Sequence, residues 1–332
     1  MMRLPYFEYR APRTVREAAD LLAASPGKTM LIAGGTDLLP NMKRRQQVPT
    51  TLIGLRQIGE LKTIQNGEGL TIGSGTTLAD LVRDPRVHDG YRGLWQAAAQ
   101  VATPQLRNMG TIGGNLCLDT RCNYYDQNYE WRKAIDFCLK KDGAICWVAT
   151  ASKRCVAMSS TDCAPALMAI GAKVKLVSEL GEREVALEDF YNNDGIDYLK
   201  RRPDEILTEI RIENSPSCYW KLRRRGAFDF PVLGVAAATR ADGETRIALG
   251  AVASRPFLVD QANVFLKGKK LTDEVIEEAG RLVASRAKPM DNADLDLYWR
   301  KEVTADFVGY ALRELRGDDM RATRLRITRY AL

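Results

Sequence analysis

The sequence predicts an α+β protein: two small α/β lobes followed by a C-terminal domain of antiparallel strands and helices. Three observations lead there. Short buried-type strands alternate with capped helices over the first 214 residues, the pattern of α/β units. From about Ser215 the order changes to consecutive strands and then two long amphipathic helices. The 332 residues are 45% hydrophobic and 27% charged, which fits a globular chain with a sizeable core and not a disordered one.

The first lobe spans residues 1–56. A strand-like opening leads to Thr14-x-x-Glu17, a capping box in which the Thr hydroxyl accepts from the third helical N–H and the Glu returns to the cap amide. Val15, Ala18, Ala19, Leu21 and Leu22 form the apolar face, and Ser25-Pro26-Gly27 ends the helix. Strands follow at 29–33 and 51–55. The second lobe, 57–214, holds a strand at 70–75, a helix capped by Thr77, a helix over 95–101, a helix starting at Asp162, and strands at 172–177 and 205–212. The C-terminal domain, 215–332, has strands at 218–222, 231–238 and 245–253. Its first helix follows Thr272-Asp273, and its second carries Trp299, Val303, Phe307, Ala311, Leu312 and Leu315 inward.

Charge and rare residues narrow the chemistry. Net charge is +7, a modest surplus that does not require nucleic acid. No apolar run approaches the roughly 18 residues of a membrane span. The opening MMRLPYFEYRAPRTV lacks a signal-peptide core, so a cytoplasmic location is expected. The single histidine, His88, lies in a polar stretch, which leaves almost nothing for a Ser-His-Asp triad or a two-His zinc site. No catalytic residue is assigned, and the chemistry is expected to reside in a bound cofactor.

Two glycine-rich loops are candidates for phosphate binding: Gly34-Gly35-Thr36 after a buried strand, and residues 110–115 with Gly110, Gly113 and Gly114. Without Cβ atoms, consecutive N–H groups can point into one concavity. Each loop alone reads more readily as a tight turn in an α/β domain. Neither a Rossmann nor a P-loop pattern is present: Gly73-x-Gly75 continues to Leu78 where a third glycine is needed, and no Gly-x4-Gly-Lys-Ser/Thr occurs.

The loops gain meaning in order. Phe7-Glu8-Tyr9-x-x-Pro12, Ala33-Gly34-Gly35-Thr36-Asp37-Leu38-Leu39-Pro40, Arg107-Asn108-x-Gly110-Thr111-Ile112-Gly113-Gly114-Asn115 and Asp162-x-Ala164-Pro165-Ala166-Leu167 succeed one another along the chain. This series resembles the FAD-binding subunits of molybdenum hydroxylases, the xanthine dehydrogenase and carbon monoxide dehydrogenase family. The resemblance implies a two-lobed FAD fold with a C-terminal domain beside it. It implies that Ile32, Ala33, Gly34, Gly35, Thr36, Asp37, Leu38 and Leu39, with Gly110, Thr111, Ile112, Gly113, Gly114 and Asn115, surround the pyrophosphate. Val101, Asp162, Leu207 and Lys221 are then expected along the ribityl chain and ring, with Lys221 supplying positive charge to the reduced flavin. A solvated strand lysine remains the bland alternative for Lys221.

Six of the seven cysteines lie between Cys117 and Cys163. In a reducing compartment such a cluster suggests a metal before disulfides. Residues 119–158 form a polar stretch without a clean period, holding Cys122, Cys138, Cys146 and Cys155 at spacings x15, x7 and x8. Those spacings fit zinc fingers poorly and a 4Fe–4S cluster better. Cys117, Cys163 and Cys218 read as buried thiols. Molybdenum hydroxylase flavoproteins generally pass from Gly-Gly-Asn almost directly to the Asp162 segment. The insertion resembles the one in the flavin subunits of 4-hydroxybenzoyl-CoA reductases, which carry an extra cluster there. The implied partners are a large molybdopterin-binding subunit, a small 2Fe–2S subunit (together a dimer of heterotrimers) and a ferredoxin donor. Seven basic against five acidic residues between Asp119 and Arg154 suit an acidic donor, although a solvated face explains them almost as well. Two alternatives stay open: an oxidative molybdenum hydroxylase with another aromatic substrate, and a zinc-stabilised binding module.

Overall fold

The computed structural model describes residues 3–328. Three sheets organise them, and the fold is the α+β arrangement expected. In the first lobe β1 (Glu8–Arg10) and β2 (Thr29–Ile32) both run parallel to a central β3 (Thr51–Gly54). Helix α1 (Val15–Ala23) covers this sheet with Ala18, Ala19 and Leu22 buried. Thr14 caps it as expected, accepting from the Glu17 amide. The Glu17 carboxylate reaches one residue further than expected, to the Arg13 N–H at 2.9 Å. A short α2 (Leu38–Lys43) opens directly after the first glycine loop.

The second sheet is antiparallel, in the order β4 (Ile64–Gly67), β5 (Gly69–Gly73), β8 (Ile206–Ile212), β6 (Lys173–Ser178), β7 (Gly181–Ala186). β4 and β7 are edge strands that periodicity does not reveal, because Glu182, Arg183 and Glu184 are all exposed and break any apolar alternation. Helices α3 (Leu78–Arg83), α4 (Pro85–Gly90), α5 (Arg92–Ala99), α6 (Pro104–Arg107) and α7 (Ile112–Leu116) follow β5. Thr77, Thr103 and Thr111 cap α3, α6 and α7 through their hydroxyls. His88 sits on α4 with its ring edge-on to Trp95, 4.7 Å between centroids, and 46% of its side chain in solvent.

Residues 119–158 contain one short helix, α8 (Tyr129–Ala134), and otherwise irregular backbone. Their neck is a two-way bridge in which Arg121 and Met158 exchange N–H···O bonds of 2.8 Å. The chain then enters α9 (Cys163–Ala169), whose seven residues are all buried.

The third sheet is antiparallel, ordered β12 (Phe257–Leu258), β11 (Thr245–Gly250), β10 (Leu233–Thr239), β9 (Ser217–Leu222). It packs against α10 (Asp260–Leu266), α11 (Asp273–Arg286), α12 (Leu297–Glu302), α13 (Thr304–Arg316) and α14 (Arg321–Thr328). The second long helix expected is two helices, α12 and α13, meeting at Val303. The apolar phase survives the break because the Val303 N–H still donates to Trp299 O and the Phe307 N–H to Val303 O. Among the described residues no helix is long and apolar enough to cross a membrane.

Candidate cofactor site

A cleft of about 530 Å³ opens where the lobes and the C-terminal domain meet. It lies within the size range of cofactor pockets. Among the residues expected at the flavin, Ile32, Ala33, Gly34, Gly35, Thr36, Asp37, Leu38, Val101, Gly110, Thr111, Gly113, Gly114, Asn115, Asp162 and Leu207 line it. Leu39, Ile112 and Lys221 do not. Leu39 packs behind the loop, where a Cβ on Gly35 would meet its Cδ1 at 3.1 Å. Ile112 is fully buried in the core of the second lobe.

The glycines do different jobs. Gly34 lets the two loops touch, since a Cβ there would fall 1.9 Å from Met109 O. Gly35 adopts φ +70°, a left-handed conformation that suits glycine. Gly113 packs on Ser74, whereas a Cβ on Gly114 would meet only Thr111 Oγ1, at 3.1 Å.

The expectation that both loops present free N–H groups holds for one of them. In the second loop most amides are already used: Gly110 N–H to Leu106 O, Ile112 N–H to Thr76 O, Gly113 N–H to Ser74 O, Gly114 N–H to Thr111 Oγ1 and Asn115 N–H to Thr111 O. The end of α6, the capping of α7 and pairing with residues 74–76 consume them. In the first loop, among the described residues, the N–H groups of Gly34, Gly35, Thr36, Asp37 and Leu38 have no protein acceptor. Five backbone donors beside a cleft are what an anionic pyrophosphate needs. The first loop therefore supplies donors, and the second supplies a bare wall.

Lys221 stands behind the cleft wall. Its Nζ is 3.0 Å from Asp162 Oδ2 and 3.1 Å from Gln100 O, and Tyr219 donates its hydroxyl to Asp162 Oδ1 at 2.9 Å. Burial pushes the Asp162 carboxyl up and the Lys221 amine down, and their mutual attraction opposes both shifts. The lysine's charge thus meets a carboxylate before it meets the cleft. Asp162 lines the cleft and Lys221 does not.

Arg121 is one of several cleft residues, with Arg44, Tyr198, Arg201 and Phe230, that sequence reasoning missed. Its Nη2 pairs with Asp37 Oδ1, its Nη1 lies 3.1 Å from Asp126 Oδ1, and its guanidinium stacks 4.7 Å from the Phe230 ring centroid. The available signal was its place in Asp119-Thr120-Arg121-Cys122, at the entry to the insertion.

The four insertion cysteines come together. Cys122, Cys138, Cys146 and Cys155 are all buried and line one small cavity with Tyr124, Trp147 and Ala157. Burial raises the Cys122 thiol to about 12 and the Cys155 thiol to about 11. The Ala157 N–H donates to Cys155 Sγ at 3.4 Å. Lys140 lies close enough to act on Cys155 electrostatically, anchored by Asp119 Oδ1 and Thr120 Oγ1, each at 2.8 Å. Among the described residues no three His, Cys, Asp or Glu side chains converge tightly enough to hold a single metal ion. Four buried thiols supplied by one segment therefore line a single small cavity. Cys117, Cys163 and Cys218 stand apart from this cavity as free thiols, Cys163 and Cys218 fully within the core.

This fold and cleft define a flavoprotein built from a two-lobed FAD domain and a C-terminal domain. The chain belongs to the FAD-binding subunits of the molybdopterin dehydrogenases. The model for the FAD binding domain in molybdopterin dehydrogenase matches residues 5–214, and that for the CO dehydrogenase flavoprotein C-terminal domain matches 217–315. The aldehyde oxidoreductase FAD-binding subunit PaoB of Escherichia coli is 33% identical over 78% of this chain and 86% of its own. The nicotinate dehydrogenase FAD-subunit of Eubacterium barkeri is 29% identical over 89% and 91%. In three dimensions, carbon monoxide dehydrogenase from Hydrogenophaga pseudoflava aligns with a TM-score of 0.76 at 28% identity, covering 94% of this chain and 98% of that one. Family membership replaces the reading of a zinc-stabilised binding module.

Proposed function

We propose that this chain is the electron-transfer subunit of a molybdenum enzyme that reductively dehydroxylates 4-hydroxybenzoyl-CoA to benzoyl-CoA and water. One observation carries that choice: four buried cysteines, supplied by one insertion, surround a single cavity beside the flavin loops. Cys122, Cys138, Cys146 and Cys155 hold a 4Fe–4S cluster in this reading. When bound, the cluster and FAD supply electron transfer from a ferredoxin toward a small 2Fe–2S subunit and a large molybdopterin subunit. The assembly is a cytoplasmic dimer of heterotrimers.

The chain's own residues have defined tasks. The amides of Gly34 to Leu38 donate to the pyrophosphate, and Gly114 leaves it room. Asp162, held by Tyr219 and Lys221, gives the cleft a fixed polar wall. Tyr124, Trp147 and Val148 wall the cysteine cavity against water. Lys140 offsets negative charge gathered there.

The test is iron and acid-labile sulfide analysis of the anaerobically purified complex. The Cys138→Ser variant is expected to lose the cluster's share of both, and ferredoxin-dependent turnover, while keeping FAD. A variant with unchanged iron overturns the ligand assignment. A second reading, an oxidative hydroxylase of another substrate, is favoured by the likeness to aldehyde and nicotinate enzymes. It predicts no consumption of reduced ferredoxin on adding 4-hydroxybenzoyl-CoA.

A further inference from the structure

The insertion is clamped to the helix that the first glycine loop opens. The Arg132 Nη2 donates to Arg44 O at 2.9 Å, Gln46 Nε2 donates to Tyr125 O, and Arg121 pairs with Asp37. The third clamp continues inward. Asp37, which also accepts from Asn41 Nδ2 at 3.1 Å, belongs to the loop of free amides. Arg121, with 9% of its side chain exposed, bridges from Asp37 to Asp126 Oδ1 at 3.1 Å. The other oxygen of Asp126 accepts the backbone N–H of Cys122 at 3.1 Å. One unbroken chain of charge-assisted hydrogen bonds thus runs from the flavin loop to the backbone of a cysteine that faces the second cavity.

We propose that Arg121 and Asp126 are positioning residues that couple the two sites, so that filling one stabilises the other. The inference rests on the cofactor assignment above. Arg121 is sandwiched between two carboxylates and the Phe230 face, so it has little freedom to follow one partner without the other. Ordering Cys122 around a cluster holds Asp126 and Arg121, which in turn hold Asp37 and the loop. By linkage, the effect on FAD affinity and the effect on cluster affinity are the same factor.

The experiment uses the intact complex. FAD affinity is measured by flavin fluorescence in cluster-replete protein and in protein whose iron has been removed by a chelator. Wild type is expected to lose at least about fivefold in FAD affinity on iron removal, the lower end of typical coupling. Asp126→Asn, which keeps the side chain's shape, is expected to bind FAD with the same affinity in either state. Arg121→Lys is expected to behave likewise, because one ammonium cannot span both carboxylates as the guanidinium fork does. Full coupling retained in Asp126→Asn, or FAD affinity in wild type indifferent to the cluster, overturns the proposal while leaving the cofactor assignment intact. A wild-type complex without iron in this pocket overturns both together.

Discussion

The Lys221 ammonium and the Asp162 carboxylate form a pair 3.0 Å apart with 0% and 3% of their side chains in solvent. A pair so enclosed adds little net stability, but removing one member leaves an uncompensated charge. Lys221→Met is therefore expected to cost about 3–5 kcal/mol in denaturant unfolding. Lys221→Met combined with Asp162→Leu is expected to recover most of that loss. A double-variant loss equal to the sum of the losses in Lys221→Met and Asp162→Leu alone would show that the two residues do not act as a pair.

The two kinds of glycine predict opposite phenotypes. Gly114→Leu projects into open cleft, so flavin content is expected to fall sharply while the melting temperature barely moves. Gly34→Ala drives a methyl into Met109 O and is expected to lower the melting temperature by several degrees. The ratio of flavin to protein absorbance and a thermal scan distinguish the two.

Glu205 governs an acid-sensitive joint. Burial alone would raise its carboxyl, but the Arg183 fork at 2.6 and 2.9 Å and the Arg202 amide at 2.7 Å hold it below its ordinary value. A depressed carboxyl stabilises the fold above its unfolded pKa of about 4.3, and that share is lost as pH falls through the folded value. Glu205→Gln is expected to cost about 2 kcal/mol at neutral pH and to flatten the decline below about pH 4. Parallel acid curves for both proteins would refute this.

Arg300 joins Met158, at the exit of the insertion, to the C-terminal domain, and among the described residues it forms no ion pair with a carboxylate. Its guanidinium donates to Val232 O, Met290 O and Ala251 O at 2.9–3.1 Å, and it is wholly buried. Arg300→Lys keeps a charge but cannot serve three diverging carbonyls. Unfolding free energy is expected to fall by about 3 kcal/mol, as for other broken buried polar networks. A loss below about 1 kcal/mol would mean that water substitutes for the fork.

Local signals were legible wherever a few neighbouring residues decide the outcome. Thr14, Thr77 and Thr272 each cap the helix that follows, through a hydroxyl reaching three residues ahead. The first glycine loop was legible for the same reason: Gly34-Gly35 follows just after β2, and without Cβ atoms its backbone can turn so that consecutive amides face one concavity. The second loop was not, because the Ile112 and Gly113 amides are claimed by Thr76 and Ser74, more than thirty positions away in the chain. Edge strand β7 escaped notice since its charged face answers to solvent and not to a core.

Chain order and spacing thus made the helix caps, the first glycine loop and the candidate thiols legible, all of which depend on residue type at short range. Packing settled the rest. It placed Asp162 between Lys221 and the cleft, gathered thiols spread over 34 positions around one cavity, and set Arg121 between two carboxylates. Those relations join segments distant in sequence, and only burial in a shared low-dielectric interior makes one partner indispensable to another.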